Sequence, residues 1–252
     1  MRGAAWRGDR AVDLGFMLEA FRRIAGGVPL TLQLALLSLA VGFVLATLLA
    51  GMRLSGVLPL DWVARAWIFV FRGTPLLVQI FLIYYGLPQF RWLRTTWMWP
   101  YLREPWWCAL LALALNTAAY GAEILRGGFL SVPRGQVEAA RACGMSGVKL
   151  FRRIVFPIAI RQALPGYGSE MILMVKATSL ASIITLMEMT GLARQLISES
   201  FRAIEVFTIA GGMYLAINFV ITRAVMALEF WLSPHLRDAP DAQPKPALAN
   251  LH

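Results

Sequence analysis

Residues 134–157 read RGQVEAARACGMSGVKLFRRIVFP. No longer stretch of the chain lacks apolar dominance, and hydrophobic runs resume on both sides of it. Val137 to Cys143 has the length of about two helical turns. Gly144 can supply the left-handed backbone that ends a helix and redirects the chain. Met145 to Ile154 then reads as a second helix, stopped by Pro157. The pattern predicts a polar helical hairpin between membrane spans, where a partner protein would grip. Ala139 and Ala140 keep one face of its first helix thin enough to fit a groove. Glu138, read as lying near the helix start, suits the helix dipole and can pair with a partner's arginine. The plain alternative is an ordinary interfacial loop helix.

The rest of the chain decides what the hairpin interrupts. Of 252 residues, 58% are hydrophobic and 15% charged. A soluble domain of this size usually carries about 25% charged residues. The apolar excess falls in long runs, which points to an integral membrane protein. The net charge of +10 would suggest nucleic acid in a soluble protein. Here the basic residues sit mostly between the runs, where they read as topology signals and contacts to anionic lipid, with no nucleic acid as partner. Cys108 and Cys143 have no metal-type spacing and read as two isolated thiols. His235 and His252 both fall in the tail, so no metal site is expected.

Five apolar runs are expected to span the membrane, at about 28–52, 66–87, 106–125, 163–187 and 204–232, with the hairpin in the loop 126–161. Segment 1–27 precedes them. In it Leu14, Met17, Leu18, Phe21 and Ile24 recur at helical spacing, which predicts a short interfacial amphipathic helix. The first run is too long for the apolar part of a signal peptide, about 7–15 residues, and reads as an uncleaved span. Along it Ser38, Gly42, Ala46 and Ala50 make a stripe of small residues against which another helix can pack closely. In the second run, Pro75 is expected to kink or start a helix. Arg72 beside it reads as an interfacial or interhelical anchor. The tryptophan-rich loop 88–105 is expected at headgroup level. Residues 188–203 read as an amphipathic loop, and the proline-rich tail 233–252 as a flexible cytoplasmic segment.

Five spans place the termini on opposite sides. The count of basic residues is nearly even between the sides, but seven Lys/Arg crowd into 126–161, a loop hard to translocate. That density predicts the N-terminus outside and the C-terminus in the cytoplasm.

Polar groups inside the runs are the candidates for a solute pathway. The third run carries Asn116 and Glu123. The fourth carries Ser169, Glu170, Lys176, Thr178 and Ser179. Glu170 and Lys176 are six residues apart, about 120° around a helix, so they are not expected to pair on one straight helix. Glu170 either attracts a cationic solute or links helices, and for Asn116 and Glu123 interhelical hydrogen bonds are an equal alternative.

The spaced pattern Glu138-Ala139-Ala140, Gly144, Ile154 and Pro157 resembles the EAA loop of the membrane subunits of bacterial type I ABC importers. Further stretches are collinear with that family: Leu30-Thr31-Leu32-Gln33, Phe71-Arg72-Gly73-Thr74-Pro75-Leu76-Leu77-Val78-Gln79, Leu115-Asn116-Thr117-Ala118-Ala119-Tyr120 with Glu123, Ser131-Val132-Pro133-Arg134-Gly135-Gln136, and Lys176-Ala177-Thr178-Ser179-Leu180-Ala181-Ser182. Together they are most similar to the polar amino acid uptake branch, the permeases for histidine, lysine, arginine, ornithine and opines. Two positions depart: Phe156 stands where the loop usually has leucine, and Ser169 where the branch usually has asparagine.

The resemblance implies an all-α membrane protein of five transmembrane helices, with a cytoplasmic coupling hairpin between the third and fourth. It implies Glu138, Ala139, Ala140 and Gly144 as the contact to a cytoplasmic ABC ATPase dimer. It further implies a second permease subunit, paralogous or identical, an extracytoplasmic solute-binding protein, and residence in the bacterial inner membrane. Transport would proceed by alternating access. The chain contains no G-x-x-x-x-G-K-[ST] and no Gly-Lys dipeptide, so it cannot build that phosphate cradle. ATP and magnesium would belong to the partner, with no cofactor here. The solute would be a polar, cationic amino acid or opine, with glutamine or glutamate as alternatives. Without the resemblance, a secondary carrier, a channel subunit and a membrane scaffold stay open. A secondary carrier usually shows two related halves and more spans.

Overall fold

In the computed structural model, which describes residues 13–232, every apolar run becomes helical and no strand occurs among the described residues. The order is α1 (Leu14–Ala25), α2 (Val28–Leu54), α3 (Leu58–Gly73), α4 (Leu76–Phe81), α5 (Trp99–Leu102), α6 (Pro105–Leu130), α7 (Arg134–Ala142), α8 (Gly147–Leu150), α9 (Phe156–Ala177), α10 (Met189–Ser200) and α11 (Ala203–Leu232). The expected tail, 233–252, lies outside the described residues.

Three helical stretches are long and apolar enough to cross a membrane singly: Leu14–Leu54, Pro105–Leu130 and Ala203–Leu232. Two more spans arise only if each bent pair counts as one. Leu58–Gly73 with Leu76–Gln89 bends by 104°, and Gly147–Ile184 with Met189–Ser200 by 49°. The run 66–87 is therefore not one helix. Thr74 is extended, at φ −112° and ψ 144°, as the residue before a proline prefers, and Pro75 starts a new helix.

The helix expected through Leu14–Ile24 forms as α1, but only Gly26 and Gly27 separate it from α2, giving 41 residues of nearly continuous helix. At 1.5 Å per residue that is roughly 60 Å, twice the apolar thickness of a bilayer. The excess length is taken up by α1, which buries Ala20 and Ile24 against α10 and α11. Arg23 pairs with Glu199 at 2.8 Å and Arg202 with Asp13 at 3.1 Å.

α6 is the centre of the molecule, with α2 and α9 packed along it. The stripe Ser38, Gly42, Ala46 and Ala50 is wholly buried, and it is what admits α6 so closely. A Cβ at Gly42 would collide with the Thr117 methyl group and lie 3.2 Å from the Ala114 carbonyl oxygen. Thr117 cannot rotate away freely, because its hydroxyl donates to Glu170. Helix propensity alone favours alanine over glycine by about 1 kcal/mol. Gly42→Ala should nevertheless destabilise by about 1–3 kcal/mol through overpacking. Gly51→Ala on the same helix, with nothing near the new methyl, should not. Thermal unfolding of the two variants in detergent distinguishes them, and equal shifts would rule out the tight α2–α6 seam. α11 lies at the periphery and exposes Ile204, Phe207, Leu215, Phe219 and Val220, as a helix facing hydrocarbon does.

The stretch 134–157 departs from its expected form at both ends. The first helix is two residues longer than read, 134–142, so Glu138 sits at its middle and not near its start. Pro157 does not stop the second helix. A wider π-type turn at Phe151–Val155 lies just before it, and α9 continues through Pro157 as its second residue. Proline is tolerated there because a first-turn N–H needs no intrahelical acceptor. Pro165 lies within the helix as well, so the hairpin and the fourth run form one continuous lever from Gly147 to Ile184.

Candidate functional site

The hairpin turn is built by Gly144. Its φ is +77°, a conformation that glycine adopts without steric cost. The Met145 amide donates to the Ala140 carbonyl at 3.0 Å and the Gly144 amide to Arg141 at 2.9 Å. This Schellman pair satisfies the last carbonyls of α7. Ala140 is buried, whereas Glu138, Ala139 and Gly144 are exposed on the outer side. Phe151 stacks on Phe129 at 5.9 Å between ring centroids, which ties the hairpin to the end of α6. Lys149, Arg152 and Arg153 are exposed around it.

The intramembrane candidates do not converge on one point. One residue of helix is a rotation of about 100°, and α6 uses it to sort them. Thr117 faces α9, where its hydroxyl donates to the Glu170 carboxylate, itself only 6% exposed. Asn116 and Glu123 face α3. Ser169 is exposed and its hydroxyl donates to the Pro165 carbonyl at 3.2 Å. Lys176 is exposed and unpaired with Glu170, as the spacing predicts. The Thr178 and Ser179 hydroxyls donate to the Val175 and Lys176 carbonyls, at 2.7 and 2.6 Å, in the 3₁₀ turn that ends the helix.

On the α3 side, the break at Thr74-Pro75 ends α3 and frees backbone carbonyls of its last turn, which take new donors. The Gln79 side-chain amide supplies them, reaching the Phe71 carbonyl at 2.9 Å and the Thr74 carbonyl at 3.1 Å. Asn116 donates to the same Phe71 carbonyl at 3.1 Å and to the Gln79 side-chain oxygen at 3.0 Å. Asn116 thus pins the break to α6. Nearer the hairpin, Glu123 joins a chain of ion pairs. Arg126 reaches it at 2.6 Å and Arg53 at 3.4 Å, and Arg53 also holds Asp61 at 2.7 Å, which holds Arg65 at 2.8 Å. The chain links the ends of α2, α3 and α6 close to where the hairpin begins. Between α3 and α6 lies an open groove of about 520 Å³, lined by Arg53, Arg65, Ile68, Phe69, Arg72, Gly73, Tyr120 and Glu123.

Three groups to which the sequence reading gives no role are held in place by the structure. Gln79 stands within a motif, but its capping role depends on the fold. Asp61 and Arg65 carry a readable i,i+4 pairing signal. Glu188 lies in what reads as a loop, yet it is fully buried. Its carboxylate accepts from the Thr190 and Gly191 amides, both at 2.9 Å, and from the Tyr214 hydroxyl at 2.8 Å. Among the described residues no cluster of His, Cys, Asp and Glu could hold a metal ion. The arrangement offers helix breaks, a charged groove and an exposed hairpin, which suit movement of a solute more than bond chemistry.

Comparison with known proteins agrees with this geometry. The chain is 60% identical over 226 residues to the octopine transport system permease protein of Rhizobium radiobacter, covering 90% of this chain and 92% of that one. It is 55% identical over 227 residues to the nopaline transport system permease protein of Agrobacterium fabrum, covering 90% and 94%. Among solved structures, an amino acid ABC transporter with histidines superposes with a TM-score of 0.77 at 33% identity, over 87% of this chain and 98% of that one. The family model for the binding-protein-dependent transport system inner membrane component matches residues 29–234, and the chain belongs to that family.

Proposed function

We propose that this chain is one membrane subunit of an ATP-driven importer of polar amino acids or opines. The observation that carries this is the 60% identity to an octopine permease over nine-tenths of the chain. In this reading the hairpin docks on a separate cytoplasmic ATPase dimer, through Glu138, Ala139, Ala140 and Gly144. Support comes from the exposure of three of these four and from the continuous helix that leaves the hairpin toward Glu170. A second membrane subunit completes the pathway, and a binding protein delivers solute on the outer face, placing the hairpin and the C-terminus in the cytoplasm. The chain itself needs no cofactor; ATP and magnesium act in the partner. The test is reconstitution with an ATPase and a binding protein in proteoliposomes. ATP-dependent uptake is expected; binding without uptake would leave a scaffold, and uptake without ATP a secondary carrier.

Within the pathway, Glu170 is the acid best suited to attract a cationic group. Thr117 is its one hydrogen-bond donor among the described residues, which leaves acceptor capacity on a buried carboxylate. The neighbouring polar candidates Ser169, Lys176, Thr178 and Ser179 would line the same helix, with Asn116 and Glu123 across α6. Glu170→Gln keeps the shape and the Thr117 bond but removes the charge. Uptake of arginine should fall roughly tenfold, the scale of one charge-assisted hydrogen bond, with assembly on the ATPase unchanged. Lost assembly with unaltered solute preference would make Glu170 a helix cross-link instead.

A further inference from the structure

One face of α3 carries side chains that packing leaves unclaimed. Leu58, Trp62, Arg65, Phe69 and Arg72 recur every three or four residues, which puts them on one side of the helix, and all five are exposed. The adjoining side buries Ala64 and Ile68 against α2 and α6. Along the exposed face, apolar and aromatic surface therefore alternates with guanidinium.

Where this face meets α6, Arg65, Phe69 and Arg72 line the open groove together with Arg53, Tyr120 and Glu123. Charge there does not cancel. Four arginines, Arg53, Arg65, Arg72 and Arg126, stand against two carboxylates, Asp61 and Glu123. Arg53 and Arg126 are committed to those carboxylates. Arg65 meets Asp61 through Nε alone, which leaves its other nitrogens free of that pair. Arg72 has no carboxylate partner among the described residues. Its guanidinium lies over the Tyr120 ring, 5.1 Å from the centroid. The carbonyl of Phe71, just before it, is held by Gln79 and Asn116. An arginine positioned in this way keeps a planar fork of N–H donors for an anion.

The groove opens at the hairpin end of the bundle. Arg53 is the last residue but one of α2, and Glu123 stands roughly 10 Å before the end of α6. Tyr120 is one turn further in. α6 is roughly 39 Å long, against about 30 Å for the apolar layer of a bilayer. The charged end of the groove therefore lies by the headgroups and the Arg72 end just inside them. A ligand that matches the whole face has an anionic head and an apolar body. A purely polar solute would leave Trp62 and Phe69 unmatched, and a purely apolar one would leave Arg72 without a counter-ion.

We propose that this face of α3 and its groove bind an anionic phospholipid, with the phosphate on Arg72 and Arg65 and the acyl chains along Trp62 and Phe69. Basic pockets between membrane helices hold lipid headgroups by the same electrostatics. The site needs only that the chain lies in a membrane, so it stands or falls apart from the transported solute.

The test uses the full-length chain in mild detergent, offered phosphatidylglycerol and phosphatidylcholine in equal amounts, with bound lipid measured by native mass spectrometry. Wild type should retain phosphatidylglycerol in preference. Arg72→Gln should lower that retention about tenfold, the scale of one charge-assisted hydrogen bond. Arg72→Lys keeps the charge without the fork and should fall between; it carries the test if Arg72→Gln does not fold. Arg22→Gln removes the same charge from the exposed surface of α1 and should change nothing. Equal losses in Arg22→Gln and Arg72→Gln overturn the proposal, because general attraction to basic surface then explains the binding. Displacement of the lipid by inorganic phosphate alone also overturns it, since the acyl chains then contribute nothing. So does unchanged lipid retention in Arg72→Gln with loss of a dimer mass, which assigns the face to a second membrane subunit.

Discussion

Gly144→Val should cut ATP-driven uptake at least tenfold while the assembled complex still hydrolyses ATP. The reason is conformational. Gly144 holds φ +77°, where an ordinary L-residue pays about 1–2 kcal/mol and a β-branched one more. A Cβ at Gly144 would meet nothing within 4 Å, so no steric clash within the chain accounts for the effect. What fails is the turn. Without it, the Met145–Ala140 and Gly144–Arg141 hydrogen bonds are lost, and α7 is no longer held at a fixed angle to the lever that begins at Gly147. On the docking role proposed above, a loosely held α7 can still touch an ATPase but no longer transmits its closure. Gly144→Asn separates conformation from contact, because asparagine tolerates the left-handed region. It should retain most of the uptake. Normal coupling in Gly144→Val would remove the hairpin from the mechanism, and equal failure of Asn and Val would shift the cause from the turn to the surface it presents.

The left-handed turn was legible because glycine at the end of a short polar helix has few other uses. The stripe on α2 was legible for a similar reason: four small residues at a spacing of four make sense only against another helix. The break at Thr74-Pro75 was visible as a kink, though its 104° angle and its stabilisation by Gln79 and Asn116 were not. The second depends on Asn116, which lies 45 residues from Phe71 and 37 from Gln79. Pro157 misled because the rule that proline ends a helix assumes regular α geometry before it. The π-type turn at Phe151–Val155 shifts the register and makes Pro157 the start of the next segment. Asn116, Thr117 and Glu123 stand close together in the sequence, which hides the rotation that sends one to α9 and two to α3.

Glu188→Ala should be the most destabilising single change at the opposite bend of the molecule. Thr185, at φ +70°, turns the chain out of the 3₁₀ segment, and Glu188 then starts α10. Its carboxylate caps the Thr190 and Gly191 amides and accepts from Tyr214 on α11. The next residue, Met189, donates its amide to the Thr31 hydroxyl of α2 at 3.3 Å. Gly27, just before α2, leaves room for this, since a Cβ there would lie 2.6 Å from the Met189 nitrogen. One buried side chain therefore holds three helices together. Its loss removes a cap worth about 1 kcal/mol and a charged hydrogen bond worth about 1.5–3 kcal/mol, and it leaves buried donors unmatched. A total near 4 kcal/mol corresponds to a fall of about 10 °C in Tm for a chain of this size. Glu188→Gln can still accept from an amide but places an N–H₂ among donors, so it should lie between wild type and Ala. Tyr214→Phe removes one bond of the three and should cost about 1–2 kcal/mol. The two changes share a partner, so Glu188→Ala with Tyr214→Phe should cost less than their sum. Additive losses would mean that the Tyr214 hydroxyl and the Glu188 carboxylate act independently, and the bend would then be held by backbone packing and not by this carboxylate.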